Sequence, residues 1–141
     1  MLIYTNKFIK DWAAGAQIWC FALVRPSHKG NLAIEAHEKE HVKQWLNTTI
    51  IAATVIAFFL FVGVRHSNLR VEEALPLFWL APSLHGLLYW AFRPYRLWAE
   101  VRAYKKSLEF RPDKLSYYTL MLTSKYRLKI SLTEAENHLK Q

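Results

Sequence analysis

At 141 residues the chain has room for one domain with a modest core, and its single cysteine, Cys20, excludes an internal disulfide and any cysteine-based metal site. Hydrophobic residues make up 52% and aromatics 15%, including six Trp, and they gather in two stretches, which points to a membrane. The formal charge of +8 sits on residues that flank those stretches and form no nucleic-acid-binding motif, so an anionic lipid surface is the simpler partner.

Lys7, Lys10 and Asp11 precede an apolar stretch that Gln17 interrupts and that no cleavage site follows, so a cleaved signal peptide is not expected. Residues 16–24 are rich in bulky and aromatic side chains and predict a strand, with Cys20 in it as a buried small hydrophobe. The strand stops at Arg25-Pro26, and Ser27, Gly30 and Asn31 supply turn chemistry. Asn31 is placed to cap a helix over 32–47, in which Ile34, Val42 and Trp45 alternate with charged residues.

Within that helix runs His37-Glu38-Lys39-Glu40-His41, an HExxH pattern. Two histidines four residues apart lie on one helical face, so both imidazoles can reach one Zn²⁺ while Glu38 beside them holds a water. The same run also satisfies the inverted order HxxEH, in which Glu40 is the base.

Residues 48–64 and 74–92 carry no charge and read as an apolar, transmembrane or re-entrant helical hairpin, the second limb kinked by Pro76, Pro82 and Gly86. The first limb as a helix is about 25 Å long, slightly short of a hydrocarbon core, so the pair also fits the core helices of a small soluble protein. Two crossings return the chain to its starting side, so residues before Thr48 and after Phe92 can meet at one metal. Lys39, Lys43, Arg93, Arg96, Arg102, Lys105 and Lys106 flank that side, against Arg65 and Arg70 in the intervening loop, which places the metal side in the cytoplasm. Trp79, Tyr89, Trp90, Tyr95 and Trp98 fit an aromatic belt at the interface.

After Pro94, Leu97, Val101, Tyr104 and Leu108 share one side of a helix predicted over 94–110. Residues 113–141 predict two further helices, the last preceded by capping-box spacing at Thr133-Glu134-Ala135-Glu136. A catalytic HExxH site needs a third protein ligand with a fourth position left open, and Glu100 is the best placed downstream carboxylate.

His37-Glu38-x-x-His41-Val42-x-Gln44, then an apolar hairpin, then Glu100-x-x-Ala103-Tyr104, resembles gluzincin metallopeptidases, in particular small membrane-associated bacterial proteins of the minigluzincin type. The resemblance covers roughly residues 16–110 and implies zinc ligands His37, His41 and Glu100, with Glu38 as general base and proton shuttle acting on a peptide or protein substrate. It implies a mainly α fold with a small β element: a zincin-like metal helix, the hairpin, and a second ligand-bearing helix. Thermolysin-like relatives often carry an Asp one turn after the ligand Glu to orient a zinc histidine, and Tyr104 stands there instead. For the oxyanion partner the chain offers Tyr104, His66 and His85, and the strand at 16–24 offers an edge for an extended peptide. Two other readings compete: a non-enzymatic membrane protein whose HEKEH run is structural, and a closed zinc site completed by Glu40 or His85.

Overall fold

Asn31 starts the longest element of the protein, and the computed structural model, which describes residues 1–66, 72 and 75–141, shows why that element does not stop where its composition changes. The Asn31 side chain accepts from the Ile34 N–H at 3.4 Å, and helix α1 then runs unbroken over Leu32–His66. The separate elements expected at 32–47 and 48–64 are therefore one helix, about 50 Å long at the usual rise. Nothing between Gln44 and Thr49 ends it: no Gly or Pro occurs there, and the shift from polar to apolar changes only what surrounds the helix.

Preceding α1 is a three-stranded sheet of order β1-β3-β2, formed by β1 (Leu2–Tyr4), β2 (Gly15–Ile18) and β3 (Phe21–Val24). β1 runs parallel to β3, and β2 pairs antiparallel with it in the register Gly15↔Val24 to Ile18↔Phe21. The strand expected at 16–24 is thus a tight hairpin, turned at Trp19 and Cys20, with Trp19 in the left-handed region at φ 54°. Cys20 at this turn is exposed, not a buried hydrophobe, because the bend carries it off the sheet. Ala22, Leu23 and Val24 of β3 are buried where the sheet packs on α1.

The second apolar limb is divided: a 3₁₀ turn at Leu75–Leu80 leads into α2 (Ala81–Ala91), with Pro82 in its first turn. Trp45 Nε1 donates to the Pro82 carbonyl at 2.9 Å and the His41 and Tyr89 rings lie 6.3 Å apart, so α2 descends antiparallel to α1 toward the HEKEH turn. α2 alone spans about 16 Å, and among the described residues α1 is the one helix long and apolar enough to cross a membrane. Only 6% of its most apolar window is buried, unlike the core helix of a soluble protein. Arg70 and the side chain of His66, assigned above to the loop, lie outside the described residues.

Pro94 ends the run of α2. It has no N–H to continue the ladder, so Phe92 adopts an extended conformation and α3 (Arg93–Leu108) leaves in a new direction. The carbonyls left at the end of α2 are taken by Arg96, whose guanidinium donates to Tyr89 O and Trp90 O, both at 2.8 Å. Beyond α3, helices α4 (Leu115–Lys125) and α5 (Leu132–Lys140) close a small core with Val101, Tyr104, Leu122, Leu128, Ala135 and Leu139. The capping box before α5 is formed by Ser131 and Glu134, two residues earlier than the Thr133–Glu136 spacing.

Candidate metal centre

The first half of α1 turns a polar face inward: Glu35, His37, Glu38, Glu40, His41 and Gln44 are all buried, while Lys39 and Lys43 are exposed. α3 meets it through Ala99 and Ala103, both fully buried and small enough for the two helices to approach closely. Two side chains bond across that seam to main-chain carbonyls, Gln44 Nε2 to Ala99 O at 3.0 Å and Ser107 Oγ to Ala33 O at 2.9 Å. The seam places Glu100 opposite the HEKEH turn.

His37 Nε2 and His41 Nε2 lie 3.2 Å apart, and the Glu100 carboxylate stands 3.7 Å from the first and 3.5 Å from the second. Ligand atoms on a tetrahedral Zn²⁺ at 2.0–2.1 Å are separated by about 3.3 Å, so the three groups need to close by only a few tenths of an ångström around an ion. Among the described residues these three alone form a cluster of potential metal ligands, with their donor atoms within 4.8 Å of one another. Glu100 Oε2 is buried without a hydrogen-bond partner, which is costly for a carboxylate unless a cation faces it.

The surrounding bonds orient these donors. Gln44 Nε2 is committed to Ala99 O, so Gln44 Oε1 accepts from His41 Nδ1 at 3.1 Å and the lone pair of His41 Nε2 is turned toward His37 and Glu100. Tyr104, which stands one turn after Glu100, packs edge-on to His37 with ring centroids 4.5 Å apart. The Tyr89 hydroxyl donates to Glu100 Oε1, the oxygen nearer His41, and leaves Oε2 facing His37. Burial pushes Glu100 up to about 7, partly offset by the Tyr89 bond, and a cation at the site favours the ionised form again.

Glu38 and Glu40 have different surroundings. Glu40 pairs with Arg102 at 3.2 Å and faces neither cleft, whereas Glu38 lines both clefts that reach the histidines. Gly15 of β2 rests directly on Glu38, where a Cβ would stand 2.6 Å from Glu38 Oε1 and 2.7 Å from the Leu23 carbonyl. One cleft, about 430 Å³, runs past Ile34 and Ser107 toward Tyr117 and Met121. The other, about 910 Å³, runs past Gln17 and His85 toward Trp90 and Arg127. Trp12, Ala13, Gly15, His37, Glu38 and Tyr126 belong to both.

Among the residues expected to meet an oxyanion, Tyr104 lines the smaller cleft and its hydroxyl is 2.9 Å from that of Tyr126. Burial drives both phenols well above their ordinary range, so they stay protonated donors. His85 is held the other way round. Thr48 Oγ1 donates to Gln44 O at 2.8 Å and so accepts from Tyr95, which in turn accepts from His85 Nδ1 at 2.8 Å. In its neutral form His85 is left with an acceptor, not a donor, at Nε2. Of the five belt aromatics, Trp79, Trp90 and Trp98 are exposed, while Tyr89 and Tyr95 serve these internal bonds instead.

Gly15, Tyr89 and Tyr126 were not distinguishable as site residues in the sequence. Each acts through a long-range contact, and a lone Gly or Tyr gives no local pattern. The chain matches no known protein family, no characterised protein and no solved structure.

Proposed function

We propose that this chain is a membrane-associated zinc-dependent metallopeptidase of the gluzincin kind, with its site at the cytoplasmic end of the membrane-crossing helix. The observation that carries the reading is the meeting of His37 and His41 on α1 with Glu100 on α3, the buried Glu38 beside them at the junction of two clefts. Three ligands leave a coordination position open, which suits catalysis more than a closed structural site. Lys39, Lys43, Arg93, Arg96 and Arg102 gather at the metal end of α1 and on α3, and the positive-inside rule gives the orientation.

His37, His41 and Glu100 would hold the zinc ion, which when bound would supply Lewis acidity to a water and to the scissile carbonyl. Glu38 accepts the proton of the attacking water and delivers it to the leaving amine. Gln44 holds His41 in the ligating tautomer, and Tyr126, which lines both clefts, is a phenol donor available to the developing charge on the carbonyl oxygen. The free edge of β2, with Ala16 and Gln17 on the larger cleft, pairs with the backbone of an extended peptide.

Elemental analysis of detergent-purified protein tests the reading. One zinc per chain is expected in the wild type and in Glu38→Gln, with none in His41→Ala or Glu100→Ala, and peptide hydrolysis only in the wild type. A wild type without zinc leaves the non-enzymatic membrane protein as the better description; hydrolysis persisting in Glu38→Gln removes that residue from its role.

A further inference from the structure

The two clefts that meet at Glu38 differ in charge. Around the smaller one the cations are engaged: the Arg25 guanidinium donates to the carbonyls of Ala13 at 2.9 Å and Lys10 at 3.1 Å, and Arg111 and Lys114 both face Asp113. The larger cleft is lined by Lys10, Arg93, Arg96, Lys125 and Arg127, and among the described residues its carboxylates are Glu38 and Glu100, beside the histidines. Arg96 is committed to main-chain carbonyls of Tyr89, Trp90 and Tyr126. Among the described residues Lys10, Arg93, Lys125 and Arg127 have no carboxylate partner.

Four such cations on one cleft repel each other unless an anion lies between them. Arg127 is held there with its backbone in the left-handed region, at φ 54°, a conformation a non-glycine residue adopts at a cost. The cleft is also the one into which the free edge of β2 opens, through Ala16 and Gln17, so an occupant there runs along the strand toward Glu38.

We infer that the larger cleft binds the acidic segment of a peptide substrate, with Arg93, Lys125 and Arg127 as the residues that select Asp and Glu side chains on one side of the cleaved bond. This rests on the peptidase reading for the cleavage step and not for the binding step. A peptide is favoured over a lipid headgroup because the cations line a cleft that ends at Glu38 and borders a strand edge, whereas a headgroup needs only a surface patch. Arg96 has a different task, closing the end of α2.

Fluorescence anisotropy on zinc-loaded Glu38→Gln in detergent, with a labelled peptide containing two Glu and its Gln counterpart, tests the inference. The Glu peptide is expected to bind roughly tenfold tighter at low ionic strength, with the gap narrowing as salt rises. Arg93→Gln with Arg127→Gln, and separately Lys125→Gln, should each shrink the gap while zinc content stays at one, which guards against misfolding as the cause. Equal binding of the two peptides, or a preference that survives loss of these cations, overturns the inference. So does charge-dependent binding to phosphatidylserine vesicles in place of any peptide preference, which makes the cleft a lipid contact. If the acidic peptide binds as expected and zinc-loaded wild type cleaves none, the binding site stands and the peptidase reading alone falls.

Discussion

The two halves of α1 obey opposite rules of burial. Between Glu35 and Gln44 the carboxylates, imidazoles and the Gln44 amide are inside while Lys39 and Lys43 reach solvent, and from Ile50 to Val62 most of the large apolar residues are outside, Phe58, Phe59 and Phe61 each above 60% exposed. In water either half alone is unfavourable: buried carboxylates and imidazoles need partners, and a continuous apolar face needs cover. The first half is resolved internally, by Gln44, Tyr89 and the mutual approach of His37, His41 and Glu100. The second has no comparable partner among the described residues, and a lipid surrounding reverses the sign of its exposure. On the proposed membrane reading, one uninterrupted helix registers the candidate site at a fixed depth relative to a bilayer.

The comparison breaks most sharply at the apolar end. Phe58→Lys with Phe59→Lys should release the chain from the membrane fraction, since a lysine at mid-bilayer costs roughly 2.5–3.5 kcal/mol on insertion scales. Zinc content in detergent should stay at one per chain, because no bond of the site reaches that far along α1. Retention in carbonate-washed membranes would show that this face packs on protein, not lipid.

At the polar end, Gly15→Ala addresses the support of Glu38. A methyl group would fall 2.6 Å from Glu38 Oε1 and 2.7 Å from the Leu23 carbonyl, so the carboxylate must move. Displacement of a catalytic group by about 1 Å typically costs on the order of 10²-fold in rate, and kcat should fall by that order with zinc retained. Unchanged kcat would mean that Glu38 does its work from another rotamer.

These two variants also mark what the sequence could and could not disclose. The meeting of His37, His41 and Glu100 was legible because two histidines at helical spacing and a downstream carboxylate form a readable pattern; Asn31 was legible because capping is local. The boundary placed at 47–48 followed composition, but composition reports the solvent around a helix and not its hydrogen-bond ladder, so α1 continued through it. The strand over 16–24 missed its own turn because Trp19 and Cys20 carry none of the usual hairpin chemistry. Gly15 was invisible because its importance is a contact with Glu38, twenty-three positions on, that exists only after β2 docks on α1.

A subtler change at the polar end is Gln44→Leu, which removes the acceptor of His41 Nδ1–H and should weaken zinc binding about 10–100-fold, as losses of such supporting bonds do. Gln44 also ties α1 to α3, so Ser107→Ala is its comparison: Ser107 bridges the same helices through Ala33 and touches neither ligand histidine. Competition against a chelator of known affinity separates the two. Equal loss in both variants would reduce Gln44 to a helix tether.

The smallest effect is expected outside both halves, at the start of α5, and it calibrates the others. Ser131 accepts from the Glu134 N–H at 3.2 Å while Glu134 accepts from the Ser131 N–H at 2.8 Å, so Ser131→Ala should cost about 1 kcal/mol in thermal unfolding and leave zinc content and membrane partition unchanged. These bonds hold the Glu134 carboxyl below its ordinary range. A carboxyl depressed in the folded state contributes its stability above the unfolded-state pKa, and that stability is lost as pH falls through the folded-state value. Ser131→Ala keeps the backbone N–H and removes only the hydroxyl's share of this effect, so the difference in melting temperature from wild type should be largest at neutral pH and narrow on acidification below the usual carboxylate range, the part carried by the Glu134 N–H donating to Ser131 Oγ remaining. A cap variant that instead lost zinc would show that α5 braces the site through Leu139 and the core it shares with Tyr104, and the separation of the two halves of α1 from the rest of the fold would have to be redrawn.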